Sequence, residues 1–273
     1  MNKINTAFLC ILLLAAGVSC RKMLNEKIVS GLTDAYLDTK PGFYAALNAA
    51  YSDCRNFYGS EKGLEMTELG TDIFTNGSDG DYKYYNLYNS QLDPNENWIT
   101  TLWNNSYHTI NTINALIRHS DAVPDLSEEE KNRAIGEARW LRAYNYFILV
   151  QTYGSVVLTL EETSAISYEA TRAPLKDLYD AMVEDLRFAI DHLPAVQADY
   201  GRATKPAAEN LLAKVLLRRA YSTAAEANDF TQAAQLAENV INNYHFRLLD
   251  DFADIFVQGE GEKNDEVIWS VQY

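Results

Sequence analysis

The sequence predicts a mainly α protein built from helix pairs, with irregular loops and one or two short strands. Three observations carry that expectation. Apolar residues recur at three- and four-residue spacing through long stretches, which lines one face of an α-helix. Capping and stop residues bracket those stretches, as Ser127 with Glu130 and Gly154 do for one of them. The C-terminal stretches also align with one another, which points to a repeated helix pair. With 47% hydrophobic residues the chain can bury a large core.

Residues 1–19 read as an export signal. Lys3 supplies a charge near the start, an apolar run goes from Ala7 to Val18, and small residues (Ala15, Ala16, Gly17, Ser19) precede Cys20. A membrane-spanning helix needs roughly 20 apolar residues, more than this run holds. A buried N-terminal helix is the competing reading; it is disfavoured because nothing polar interrupts the run and Arg21 and Lys22 follow at once. A cysteine directly after the small residues marks a lipoprotein. LAAGVSC resembles a lipobox, with Gly17 where Leu or Val is usual, so Cys20 is expected to carry lipid as the mature N-terminus. Each buried acyl CH₂ contributes about 0.8 kcal/mol to anchoring. Cys10 lies in the signal, so Cys54 has no partner for an internal disulfide. It reads as a small buried thiol.

Residues 20–40 read as a lipidated tether and 41–273 as a helical domain. Pro41 opens a helix to about Tyr58, where a first-turn proline loses no hydrogen bond, and Gly59 stops it. Phe43, Leu47, Ala50, Cys54 and Phe57 make its inward stripe. Residues 60–97 change character. They hold Gly63, Gly70, Gly77 and Gly80 with many Asp and Asn, and predict loops with one short strand pair.

A second helix runs from about Trp98 to His119, with Leu102, Ser106, Ile110, Ile113 and Ile117 on one face. Ser127 opens a third that ends at Gly154, its stripe including Ile135, Ala138, Leu141, Tyr144 and Ile148. Val156 to Leu160 looks extended. Pro174 starts the next helix, carrying Leu175, Leu178, Met182, Leu186, Ala189 and Leu193 up to Pro194. Thr204 caps a helix with Leu211, Leu212, Val215 and Leu216; Asp229 caps a last one with Ala233, Ala237, Val240 and Ile241. Val267 to Val271 reads as a strand. Leu141, Ala143 and Phe147 align with Leu211, Ala213 and Leu217, and Met182, Leu186, Ala189 and Ile190 with Ala233, Ala237, Val240 and Ile241. These are degenerate tetratricopeptide-like helix pairs.

The chain carries a formal net charge of −15, and removing Lys3 with the signal makes it one unit more negative. That field repels phosphate backbones and argues against nucleic acid as a partner. Membrane attachment is left to the acyl anchor. No catalytic set stands out, so the chain is expected not to be an enzyme and to need no cofactor or metal. The four histidines show no HExxH arrangement. His108 and His119 share a helix face but lie about 16 Å apart at the helical rise, too far for one metal, and read as surface or capping residues. Neither a nucleophile elbow nor a phosphate-cradling glycine loop is present. Asn76, Ser78, Asp79 and Asp81 are oxygen-rich, but Gly80 is out of register for an EF-hand, and a solvated turn is the better reading.

The candidate ligand site is Tyr82, Tyr84, Tyr85, Asn86, Tyr88 and Trp98. A sugar ring presents C–H groups on its face and hydroxyls at its edge, which aromatic rings with polar tips and amide side chains can match. The competing reading is that these rings pack the loop onto the helices.

Three segments, LRAYNYFILVQTYG (141–154), TRAPLKDLYDAMVEDLRFAIDHLP (171–194) and GRATKPAAENLLAKVLL (201–217), resemble the SusD/RagB family of Bacteroidetes surface lipoproteins. CRKMLNEK (20–27), PGFYAALNAAY (41–51), the Trp103, Tyr107, Ile110, Asn114 pattern and NDEVIWSVQY (264–273) fall in the same order. The resemblance implies a SusD-like α-α superhelix whose loops help bind glycan or oligosaccharide nutrients. It also implies a partner, a SusC-like TonB-dependent outer-membrane transporter, contacted through the tetratricopeptide-like face. Arg21 after the lipid cysteine, rather than Asp, agrees with the outer membrane. Family members normally continue well past this point, so the chain reads as an N-terminal portion truncated at its C-terminus. A tetratricopeptide-like protein-interaction scaffold without a small-molecule site is therefore the alternative.

Overall fold

The computed structural model describes residues 34–78, 82–163, 165 and 168–273. The signal, Cys20 and the tether to residue 33 lie outside the described residues. The last residues of the expected tether already belong to the fold: Asp34–Leu37 makes one helical turn (α1) against the next helix.

Helix α2 (Lys40–Asp53) begins where expected, with Pro41 in its first turn and the Thr39 hydroxyl accepting from the Gly42 amide. Its buried residues Phe43, Ala46, Leu47 and Ala50 recur at helical spacing. It ends at Asp53, about five residues sooner than the sequence suggests, and passes into a 3₁₀ turn at Cys54–Asn56. Cys54 is a free, buried thiol whose pKa burial pushes up to about 12, with the Asp53 charge adding to it.

Among the described residues, the expected strand pair in 60–97 does not form. Two short helices stand there: α3 (Glu61–Glu68) and α4 (Tyr84–Leu87). The Ser60 hydroxyl caps α3 by accepting from the Gly63 amide. Glycine- and asparagine-rich sequence reads as loop, and helices this short carry too little periodicity to override it.

The long helices α5 (Asn97–His119), α6 (Glu128–Tyr153), α7 (Leu175–His192), α8 (Lys205–Ala220) and α9 (Asp229–Asn243) pack as successive neighbours, with α2 against α5 and α6. The Ser127–Glu130 capping box forms and Gly154 ends α6 with φ +71°. Thr204 caps α8 as expected. Helix α6 is enclosed by α2, α5 and α7, so buried residues run nearly round it and include charged Glu137 and Arg142. Arg142 makes two bonds to the Asp185 carboxylate on α7, 2.8 and 2.7 Å, and a third to Asn114 Oδ1 on α5 at 2.7 Å. Glu137 accepts from the Tyr51 hydroxyl and from Arg202. Charges inside the stack are thus paired, as burial requires.

Four further expectations are corrected. Asp229 is not a cap: it is the first residue of α9, fully buried, and its carboxylate takes the Arg219 guanidinium and the Glu226 amide. On α9, Ala233 and Val240 face inward while Ala237 and Ile241 are exposed, because this outermost helix has a helical neighbour on one side alone. His119 is buried rather than superficial, with Nδ1 2.5 Å from Asp38 beside α1; His108 is exposed. Val267–Val271 makes no strand, whereas Val156–Leu160, expected to be extended, is non-helical. Val157 forms an isolated bridge with Arg172, and Tyr107, Asn114 and Tyr146 bond the backbone nearby instead. Among the described residues, no helix is long and apolar enough to cross a membrane.

Candidate ligand-binding site

Helices α3 and α4 and the first turn of α5 bring the aromatic loop together. Trp98, in that first turn, lies against two tyrosines: the Tyr82 ring stacks on it at 3.7 Å and 27°, and the Tyr85 ring lies near-parallel at 6.2 Å. Tyr84 meets Tyr82 edge-on at 6.0 Å and Tyr85 at 5.1 Å. Trp98 and Tyr85 are buried, whereas Tyr82 and Tyr84 are half-exposed.

Four of the six expected residues therefore form one cluster. Asn86 does not turn to it; its Oδ1 accepts from the Gly70 amide at 3.3 Å. Tyr88 is 69% exposed and lays its ring over Gly70. Gly70 has φ +81°, and a Cβ there would fall 2.6 Å from that ring and 2.8 Å from the Tyr85 carbonyl, so glycine is needed on both counts. Tyr82 (φ 55°) and Tyr88 (φ 47°) bracket α4 in the left-handed region, which bulky residues seldom enter. Such strain gathers at ligand clamps and costs on the order of 1–3 kcal/mol per residue.

Glu96 holds the cluster, and the sequence reading passed over it. As the N-cap of α5 it accepts from the Trp98 and Ile99 amides, at 2.8 and 3.2 Å. It also accepts the Tyr84 hydroxyl at 3.0 Å and the Tyr85 hydroxyl. Burial works against its charge, but the Tyr85 and Tyr84 hydroxyls and the two amides outweigh it and hold the carboxyl below its usual range. In return, burial and the Glu96 carboxylate push the Tyr84 phenol to about 12 and the Tyr85 phenol higher still. A carboxylate just ahead of an apolar helical stripe was the signal that could have found it.

Glu65 on α3 is the second residue missed. Its Oε2 is buried without a hydrogen-bond partner among the described residues, and burial, then the Glu61 and Glu96 charges, raises its pKa. Half-exposed aromatic rings with polar tips suit a ligand with an apolar face and hydroxyl edges. In the oxygen-rich turn, Asp79 and Asp81 lie outside the described residues; Ser78 is exposed and its carbonyl takes Lys83 Nζ at 2.7 Å. Among the described residues no three His, Cys, Asp or Glu side chains gather as metal ligands.

Comparison with known proteins gives a consistent result. The sequence profile of the SusD-like family described as "Starch-binding associating with outer membrane" matches residues 43–217. SusD-like protein P2 of Formosa agariphila is 28% identical over 287 residues, covering all of this chain and 53% of the relative. The chain thus spans about half the length of that relative. A structure titled "Laminarin binding SusD-like protein" is 26% identical with a TM-score of 0.73, covering 85% of this chain and 50% of that one. Another, solved with a xylogluco-oligosaccharide, is 25% identical with a TM-score of 0.68 over 84% of this chain and 46% of that one.

Proposed function

The chain belongs to the SusD-like family, and from that premise we propose that it is a lipid-anchored outer-membrane protein that binds glycan oligomers and passes them to a SusC-like TonB-dependent transporter. The observation that carries this reading is the Tyr82–Trp98 stack with half-exposed Tyr84 beside it, sewn to Glu96. Tyr82 and Tyr84 present the rings to a sugar face. The lipid on Cys20 holds the protein beside the transporter. Relatives titled for laminarin and xylogluco-oligosaccharide support β-glucan oligomers as the first ligands to try.

A second reading, the protein-interaction scaffold, has its own support. Trp98 and Tyr85 spend their faces on neighbouring rings, which is what loop packing alone would require. Calorimetry of the whole chain with laminarin and xyloglucan oligosaccharides separates the two. Glycan binding that weakens about tenfold in Tyr82→Ala, or ~1.4 kcal/mol, is expected. Co-purification with the transporter without binding to any glycan would sink the first reading in favour of the second.

A further inference from the structure

The Glu96 carboxylate is fully occupied. Its two oxygens offer about four lone-pair positions. The Tyr84 hydroxyl takes one on Oε1 at 3.0 Å, and Oε2 receives the Tyr85 hydroxyl with the Trp98 and Ile99 amides, these last at 2.8 and 3.2 Å. A ligand therefore finds no acceptor left on Glu96. What it meets instead is Tyr84, which is half-exposed, whereas Tyr85 is buried.

The polarity of the Tyr84 tip follows from its partner. A phenol has one proton to donate and two lone pairs to offer. An ionised carboxylate can only accept, so the Tyr84 O–H points at Glu96 and its oxygen is left as an acceptor. The charge around that oxygen has one sign. Burial, then Glu96, Tyr82 and Glu65 in falling order, push the Tyr84 phenol up to about 12. Glu65 is itself raised by burial and by the charges of Glu61 and Glu96. Lys83, next to Tyr84 in sequence, directs its ammonium to the Ser78 carbonyl at 2.7 Å.

A sugar hydroxyl can donate to such an oxygen. A carboxylate or sulfate ester in the same place offers acceptors alone and brings a like charge beside Glu96 and Glu65. The whole chain, at −15, adds to that repulsion. On the reading that Tyr82, Tyr84 and Trp98 form a glycan site, we infer that the Tyr84 oxygen accepts a hydrogen bond from a ligand hydroxyl, and that the site selects neutral oligosaccharides over anionic ones. Tyr84 thus sets specificity, and Glu96 is a positioning residue that acts by holding its O–H.

The test is calorimetry of the whole chain with two matched probes: a laminarin oligosaccharide, and the same oligomer with its primary alcohols oxidised to carboxylates. At low salt the neutral probe should bind at least about tenfold tighter. The gap should narrow as salt shortens the Debye length from about 30 Å at 0.01 M to about 8 Å at 0.15 M. Tyr84→Phe keeps the ring and removes the acceptor, so it should weaken the neutral probe about tenfold. Hydrogen exchange at the Trp98 and Ile99 amides should stay as it was, because Glu96 still caps α5. Equal or tighter binding of the oxidised probe, a gap that salt leaves unchanged, or undiminished affinity in Tyr84→Phe overturns the inference and leaves the glycan reading standing. So does a loss in Tyr84→Phe that comes with faster exchange at those two amides, which marks a structural role. Binding of neither probe removes the glycan reading itself, and the inference with it.

Discussion

Trp140 and Trp98 are buried to nearly the same degree, 2% and 4% exposed, in regions built by different means. Trp140 sits mid-way along α6, among helices whose apolar stripes meet across long sequence separations. Burial of apolar surface, at roughly 25 cal/mol per Å², dominates there. The buried charges there include two matched ion pairs, Arg142 with Asp185 and Arg219 with Asp229. Trp98 is covered by Tyr82 and Tyr85, close by in sequence, and the hydroxyls of Tyr84 and Tyr85 converge on the Glu96 carboxylate. The stack is therefore expected to unfold as a unit. The aromatic loop can open by itself, as ligand-binding segments do, because few of its contacts reach the stack.

Asp185→Ala would press hardest on this contrast. It strands the Arg142 guanidinium between α5, α6 and α7, and should lower global stability by about 3–5 kcal/mol in urea titration. A loss below about 1 kcal/mol would mean that the stack does not depend on that ion pair. Glu96→Ala comes next. It removes the acceptor of two hydroxyls and two amides, an expected loss of about 1–3 kcal/mol. Hydrogen exchange should quicken across α4 and the start of α5 and stay unchanged in α7 and α8. Equal quickening in α8 would show one cooperative unit where two are expected.

Acid should have the smallest effect. The pKa of Glu96 is depressed by folding, so its contribution is complete above the ordinary glutamate value, about 4.3, and fades as pH falls through the lower folded value. Tyrosine and tryptophan fluorescence of the loop should change below that point. The change should shrink in Glu96→Gln; an identical acid profile would remove Glu96 from the account.

The same division separates what could be read from the sequence from what could not. The Ser127–Glu130 box, the Thr204 cap, Pro41 and Gly154 mark helix ends through groups a few residues apart, and each stands where expected. The stripes of α5 to α8 are legible for the same reason. The candidate site was half legible. Tyrosine density drew attention to residues 82–98, but Glu96 and Glu65 act through partners that no periodicity encodes. Asp229 looked like a cap because an acid stands there, whereas its carboxylate is spent on Arg219.

By itself, then, the sequence determined the order, the ends and the inward faces of most long helices, because caps and 3.6-residue stripes are local properties of the chain. Tertiary structure alone decided that four aromatic side chains would form one cluster with two of their hydroxyls on one carboxylate, that Ala237 and Ile241 on α9 would be exposed, and that Trp140 Nε1 and the Tyr144 hydroxyl would be buried without a partner among the described residues. Those outcomes turn on which distant side chains meet, and on which groups find no partner once every helix is in place.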